Sequence, residues 1–201
     1  MEIKNFDAVV QDIVNAEREK WEWCHFVINE PDDKIRNGLI RLGKAYVADF
    51  KWLGIYEPLI GYIKDNQSKG LLLAGNCGTG KTLFATKIIP QIIRACFNRN
   101  VKVFNASEMN KCQDEVLAKK LLCIDDIGCE AYEKSYGTEI ETIAPLMDSV
   151  EKEGKMLYLT TNLSGKELLE RYGERAVERM KSTMKIVIFN AKSNRKSELL
   201  S

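Results

Sequence analysis

Residues Gly75-Asn76-Cys77-Gly78-Thr79-Gly80-Lys81-Thr82 fit the pattern G-x-x-x-x-G-K-[ST] completely. An apolar run at 71–74 precedes them and a helical pattern at 83–89 follows, which is the context a phosphate-binding (Walker A) loop requires. Glycines let the backbone curl so that its N–H groups converge on an anion, and the next helix adds its positive end. In such a loop Lys81 reaches the β- and γ-phosphates of a nucleotide, and the Thr82 hydroxyl is a ligand for Mg²⁺.

A second group of residues completes a hydrolytic chemistry. The run Leu121-Leu122-Cys123-Ile124-Asp125-Asp126 reads as a buried strand that ends in two acids. At the carboxyl end of a parallel strand, carboxylates reach the ligand crevice. Asp125 is expected to hold Mg²⁺ through water, and Asp126 to orient and deprotonate an attacking water. A simple nucleotide kinase needs no such acid, because its nucleophile belongs to the substrate. Met156-Leu157-Tyr158-Leu159-Thr160-Thr161-Asn162 is a further strand with polar groups at its end. If it lies between the loop strand and the Asp strand, Asn162 stands beside the γ-phosphate and positions the water. Arg171, Arg175 and Arg179 are spaced by four, beside an acidic row of Glu170, Glu174 and Glu178. On one continuous helix the arginines share a face. They then form either a solvated, charge-paired surface or a source of one arginine finger for a neighbouring subunit.

The elements that must position these groups follow from hydrophobic patterning. Short apolar runs at 71–74, 101–104, 121–124, 156–160 and 185–189 alternate with longer helical stretches. That alternation predicts an α/β fold with a five-stranded parallel sheet between helices. Pro90 falls inside the expected helix 81–97 and should kink it. Residues 1–50 read as a small helical region, with apolar positions at helical spacing in 6–14 and 35–47 and a break at Pro31-Asp32-Asp33. Trp21, Trp23 and Phe26 there are either a docking patch or packing on the body, and packing is the expectation for large aromatics.

Composition sets the outer limits. The chain has 201 residues, 45% apolar and 29% charged, enough for one domain plus an arm. Thirty basic and 29 acidic residues give a net charge of +1, which excludes a strongly basic nucleic-acid coat protein. The charge is uneven, however, because 166–201 holds nine Lys/Arg against five Asp/Glu. No apolar run has the length of a spanning helix, and the N-terminal residues lack the apolar core of a signal peptide. Six cysteines without a C-x-x-C pair suit a reduced compartment, so the expected location is cytoplasmic.

In order, GNCGTGKT, LLCIDDIG, LTTN and RYGERAVERM resemble the bacterial replicative helicase loaders of the DnaC and DnaI type and their IstB transposition relatives, all AAA+ ATPases. The resemblance spans roughly 50–190. It implies a P-loop NTPase core of the AAA+ type over 51–190, with 1–50 as an arm for partner docking and 191–201 as a basic tail. It also implies ATP and Mg²⁺ as ligands, slow hydrolysis without a neighbouring subunit, and nucleotide-dependent homo-oligomers. The implied partners are a replicative helicase and single-stranded DNA, or a transposase in the IstB case. By position, 75–82 correspond to the nucleotide-binding loop, Thr82 and Asp125 to the metal ligands, and Asp126 to the base. Asn162 corresponds to the first sensor and Arg179 to the arginine finger, with Arg175 in the same motif. Like these loaders, the sequence is expected to have no C-terminal helical lid. It departs from them at 105–120, sixteen residues where the family carries additional DNA-contacting helix, and at Ser193-Asn194-Arg195, where an aromatic-Arg pattern is only partly matched. A P-loop phosphotransferase and a nucleotide-binding adaptor without turnover are the rival readings from other classes.

Overall fold

Leu71, Leu72 and Leu73 alternate between the two faces of the strand they form, and each face meets a different core. The protein is described by a computed structural model covering residues 5–130, 133–135, 138–140 and 142–191. Three helices come first: α1 (Phe6–Glu22), α2 (Asp32–Tyr46) and α3 (Glu57–Lys64). Strand β1 (Gly70–Gly75) leads into α4 (Lys81–Leu83) and α5 (Ile89–Phe97), then β2 (Lys102–Asn105), α6 (Ala106–Met109), α7 (Gln113–Ala118) and β3 (Leu121–Ile127). A small hairpin, β4 (Glu133–Ser135) and β5 (Thr138–Ile140), precedes α8 (Ile143–Glu153), β6 (Met156–Thr161), α9 (Gly165–Thr183) and β7 (Met184–Phe189).

The five long strands pair in parallel in the order β2-β3-β6-β1-β7. This is the architecture expected from the five apolar runs, with β6 between the loop strand and the Asp strand. Leu71 and Leu73 face α2, α3 and α5, beside Phe84, Ile88 and Tyr158. Leu72 faces the other way, with Leu122, Ile124, Leu157 and Leu159 under α8 and α9. The intrinsic helix preference of a Leu-Leu-Leu-Ala run amounts to a few tenths of a kcal/mol per residue. Burying each leucine on a two-faced sheet contributes about 1.5–3 kcal/mol. Burial therefore decides in favour of strand.

Pro90 acts as expected, but the distortion falls before it. Pro90 has no N–H for the Thr86 carbonyl, and the preceding turn widens to a π-turn over Phe84–Ile88, closed by Ile89 N–H donating to the Phe84 carbonyl. The hairpin β4–β5 was not foreseen, since Glu133–Ser135 and Thr138–Ile140 carry no strand-like apolar alternation.

In the N-terminal region, the Asn5 side chain caps α1 by accepting from the Asp7 N–H, and no residue of α1 is buried. Phe6, Val10, Ile13 and Val14 are exposed. The aromatic residues that follow pack inward. Trp23 donates to the Gly154 carbonyl at 2.8 Å, Trp21 lies partly buried against both cores, and Phe26 is buried. Residues from Cys24 onward, including Ile35, Leu39 and Phe50, share the core of the α5 face. Among the described residues no helix is long and apolar enough to cross a membrane.

Candidate nucleotide-hydrolysis site

The loop 75–82 leaves the end of β1 through three glycines with positive φ: Gly75 (137°), Gly78 (76°) and Gly80 (95°). At Gly75 a side chain would also collide with the Phe189 carbonyl, 2.4 Å from the ideal Cβ position, so close approach of β1 and β7 demands glycine there. Thr79 Oγ1 donates to the Asn76 carbonyl at 2.8 Å and tightens the loop. From below, the buried Tyr56 hydroxyl donates to the Thr79 carbonyl at 2.9 Å. Tyr56 stacks among Phe50, Phe84 and Phe189, which makes the loop's floor rigid. Nothing in the local sequence around Tyr56 signals this contact, because it depends on the chain before β1 folding under the loop.

Lys81 begins α4 and is almost wholly buried. Its ammonium donates to the Gly75 carbonyl (2.8 Å), the Asn76 carbonyl (2.7 Å) and Asn162 Oδ1 (2.9 Å). Asn162 Nδ2 in turn donates to Asp126 Oδ1 at 2.7 Å. A lysine can only donate and a carboxylate can only accept, so the Asn162 amide has one orientation that satisfies both.

The two acids sit in an irregular end of β3. Its pairing with β6 slips between Ile124 and Ile127, and Asp126 takes a left-handed φ of 65°. Such bulges re-aim side chains next to sites. Here Thr160 holds the bulge: its hydroxyl donates to Asp125 Oδ1 at 2.6 Å and accepts from the Asp126 N–H at 2.7 Å. Consecutive residues in a regular strand would point to opposite faces. The left-handed turn at Asp126 aims its carboxylate at Asn162 while Asp125 stays on Thr160. Thr160 was legible only as part of a strand-end T-T-N, and its clamp on the acids was not. Beyond the bulge the Cys129 thiol donates to Asp126 Oδ2 at 3.5 Å. Burial, then the Asp126 charge, raise the Cys129 pKa and keep it a thiol.

The site's residues fit a Mg²⁺-nucleotide. The glycine cradle offers backbone N–H groups, Lys81 offers charge, and the exposed Thr82 hydroxyl with the Asp125 carboxylate forms the hard-oxygen donor set that Mg²⁺ prefers. Beside the Gly75–Asn76 turn opens a groove of about 480 Å³. Its walls mix apolar residues, among them Leu72, Leu168, Val177 and Met180, with polar ones that include Asn162 and Lys181.

The arginines depart from the expected single face. Gly173 (φ 78°, ψ 165°) interrupts α9, so the four-residue spacing does not keep Arg171 in line with the other two. Arg171 turns to Glu130. Arg175 and Arg179 turn to α8: Arg175 Nη2 lies 3.2 Å from Asp148 Oδ2, while Arg179 meets Asp148 at 2.9 Å and Glu151 at 2.8 Å. Arg175 is 73% exposed, Arg179 only 16%. Arg195 and the rest of 192–201 lie outside the described residues.

A parallel sheet of this order, a glycine-cradled lysine after β1 and an acid pair near the end of β3 define a P-loop NTPase fold of the AAA+ type. The family model described as Novel STAND NTPase 3 matches residues 62–200, well over half of the chain, and the protein belongs to that family. Among solved structures, the DnaC helicase loader is 18% identical with a TM-score of 0.51, covering 82% of this chain and 93% of that one. DnaI is 19% identical, also with a TM-score of 0.51, covering 89% and 93%. AMPPCP-bound DnaA from Aquifex aeolicus is 13% identical with a TM-score of 0.53, covering 71% and 49%. At these identities the shared property is the fold. No curated protein matches the sequence.

Proposed function

We propose that this NTPase hydrolyses ATP and acts as a helicase-loader-type factor in DNA replication, engaging a ring helicase and single-stranded DNA. The observation that carries the hydrolytic part is the hydrogen-bonded chain Lys81–Asn162–Asp126. It joins the phosphate-binding lysine to a carboxylate that a phosphotransferase would not need. Similarity of fold to the DnaC helicase loader supports the choice of partner.

In this reading the loop N–H groups and Lys81 bind and orient the β- and γ-phosphates. Thr82 and Asp125 would hold Mg²⁺, which would supply positive charge against the phosphate oxygens. Asp126 takes the proton of the attacking water. Asn162 fixes the Asp126 carboxylate through Nδ2 and brings the water into line. Arg175 and Arg179 lie on one stretch of α9 after Gly173 and serve a neighbouring subunit's γ-phosphate. Arg179 must first leave Asp148 and Glu151, so turnover by isolated protein is expected to be slow.

Phosphate release from Mg²⁺-ATP, measured alone, with a replicative helicase, and with helicase plus single-stranded DNA, tests the reading. The expected result is a low basal rate that helicase and DNA raise together, with DNA binding stronger in a non-hydrolysable ATP analogue than in ADP. A rate indifferent to both partners, with no DNA binding in either state, overturns the loader assignment. Capture of a transposase instead of a helicase would replace it with the transposition reading.

A further inference from the structure

Glu130 lies four residues beyond Asp126, and its side chain is only 6% exposed. Every acceptor site on it is taken. Oε2 receives both Arg171 Nε (3.0 Å) and Nη2 (2.6 Å). Oε1 receives the Tyr172 hydroxyl and the Gly128 N–H (2.9 Å). These donors come from two places: the turn that follows the acid pair, and the half of α9 that ends at Gly173. The turn itself is tight. Gly128 has φ 103°, and a side chain there would lie 2.7 Å from Leu163, the residue after Asn162. The same turn is held by Cys129 N–H donating to the Asp126 carbonyl and by Thr161 Oγ1 donating to the Ile127 carbonyl. Glu130 thus ties the turn that follows Asp126 to α9, whose first residue, Gly165, comes three residues after Asn162.

We infer that Glu130 is a positioning residue: through Gly128, Arg171 and Tyr172 it holds the 126–130 turn against α9 and so keeps the Asp126 carboxylate on Asn162. This deepens the hydrolytic reading above and rests on it. The left-handed conformation of Asp126 is uncommon for a residue with a side chain and needs surroundings that over-determine it. Thr160 fixes the turn from the sheet, and Glu130 fixes it from the helix. A charge-assisted, two-pronged bond to Arg171 gives direction as well as strength. Burial and then Glu130 itself push the Tyr172 phenol pKa well up, so it remains a donor to the carboxylate throughout the neutral range.

The test compares wild type with Glu130→Gln, with Tyr172→Phe, which removes one hydroxyl, and with Glu170→Gln as a control for loss of charge on an exposed part of α9. Three quantities are read: kcat, nucleotide affinity, and amide hydrogen exchange over 126–130 with Mg²⁺ and AMPPCP bound. A displaced reacting group typically costs up to on the order of a hundredfold in rate. Glu130→Gln is expected to lower kcat by roughly ten- to a hundredfold while the dissociation constant stays near wild type, and to speed exchange at Gly128. Tyr172→Phe should show a smaller change in the same direction, and Glu170→Gln none. Wild-type kcat in Glu130→Gln, or equal losses of affinity and rate, overturns the assignment. The exchange measurement separates this inference from the hydrolytic reading. If wild type shows no turnover, the hydrolytic reading fails, and unchanged exchange in Glu130→Gln would independently sink the positioning role.

Discussion

Asn162 donates a 2.7 Å hydrogen bond to Asp126 across the boundary between β6 and β3. The other end of the same amide accepts from Lys81, so a shift in the lysine is transmitted to the acid that would activate water. A phosphate that drew Lys81 away would thereby also change the aim of Asp126.

Removing the bridge should separate binding from turnover. Asn162→Ala keeps the cradle and Lys81 but leaves Asp126 unaligned. Turnover is expected to fall on the order of a hundredfold with little loss of nucleotide affinity. Asn162→Asp should be worse, because it sets a second carboxylate against Asp126. Steady-state kinetics with a fluorescent-nucleotide titration reads both quantities, and a loss confined to affinity would count against the bridge.

Tyr56 should matter to binding instead. Tyr56→Phe removes the hydroxyl that holds the Thr79 carbonyl and leaves the aromatic stack in place. Loss of one such bond is worth about 0.5–1.5 kcal/mol. The expected outcome is nucleotide affinity weakened by roughly three- to tenfold with kcat at saturation nearly unchanged. Calorimetric titration with AMPPCP checks this.

The arginines predict complementation. Arg179→Ala and Lys81→Ala proteins should each be inactive, while a mixture should regain some ATPase activity, since one subunit supplies the loop and its neighbour the arginine. The same pair with Arg175→Ala tells which arginine crosses: Arg175 is 73% exposed and, among the described residues, is ion-paired to Asp148 alone. If Arg179→Ala alone turns over like wild type under assembling conditions, a crossing Arg179 is excluded.

A pH dependence of stability follows from Glu57, in the first turn of α3 one residue after Tyr56. Arg36, then Trp52, donate to its carboxylate and hold its pKa below the ordinary 4.5. A carboxylate lowered in the folded state stabilises above its unfolded pKa, and that contribution is lost as pH falls through the folded value. The group is exposed, so the effect is modest. The thermal midpoint of wild type should therefore fall more between pH 5 and pH 3 than that of Glu57→Gln. Equal falls would remove Glu57 from the account.

How much of this was legible depended on how local each signal is. The glycine loop, the acid pair and the five apolar runs are each written in consecutive residues, and the strands appear where those runs lie. Asn162 was legible once β6 was placed between β1 and β3, a topological condition the sheet satisfies. Tyr56 and Thr160 were not, because their partners are separated by 23 and 34–35 residues and meet only in the folded chain. The arginine row misled for a different reason. Its spacing presumes a continuous helix, and Gly173 breaks that helix where the sequence shows only one glycine in an otherwise helical run. Glu130 carried no motif at all, and its role comes from the depth at which Arg171 and Tyr172 meet it.

The most direct test of the central claim is single-turnover hydrolysis of Mg²⁺-ATP by wild type and by Asp126→Asn, with nucleotide affinity measured on the same preparations. Asparagine keeps the size of the side chain and cannot accept the water's proton. The account predicts unimpaired nucleotide binding and a chemical step slowed on the order of 10²–10⁴-fold. Hydrolysis by Asp126→Asn at the wild-type rate would contradict it.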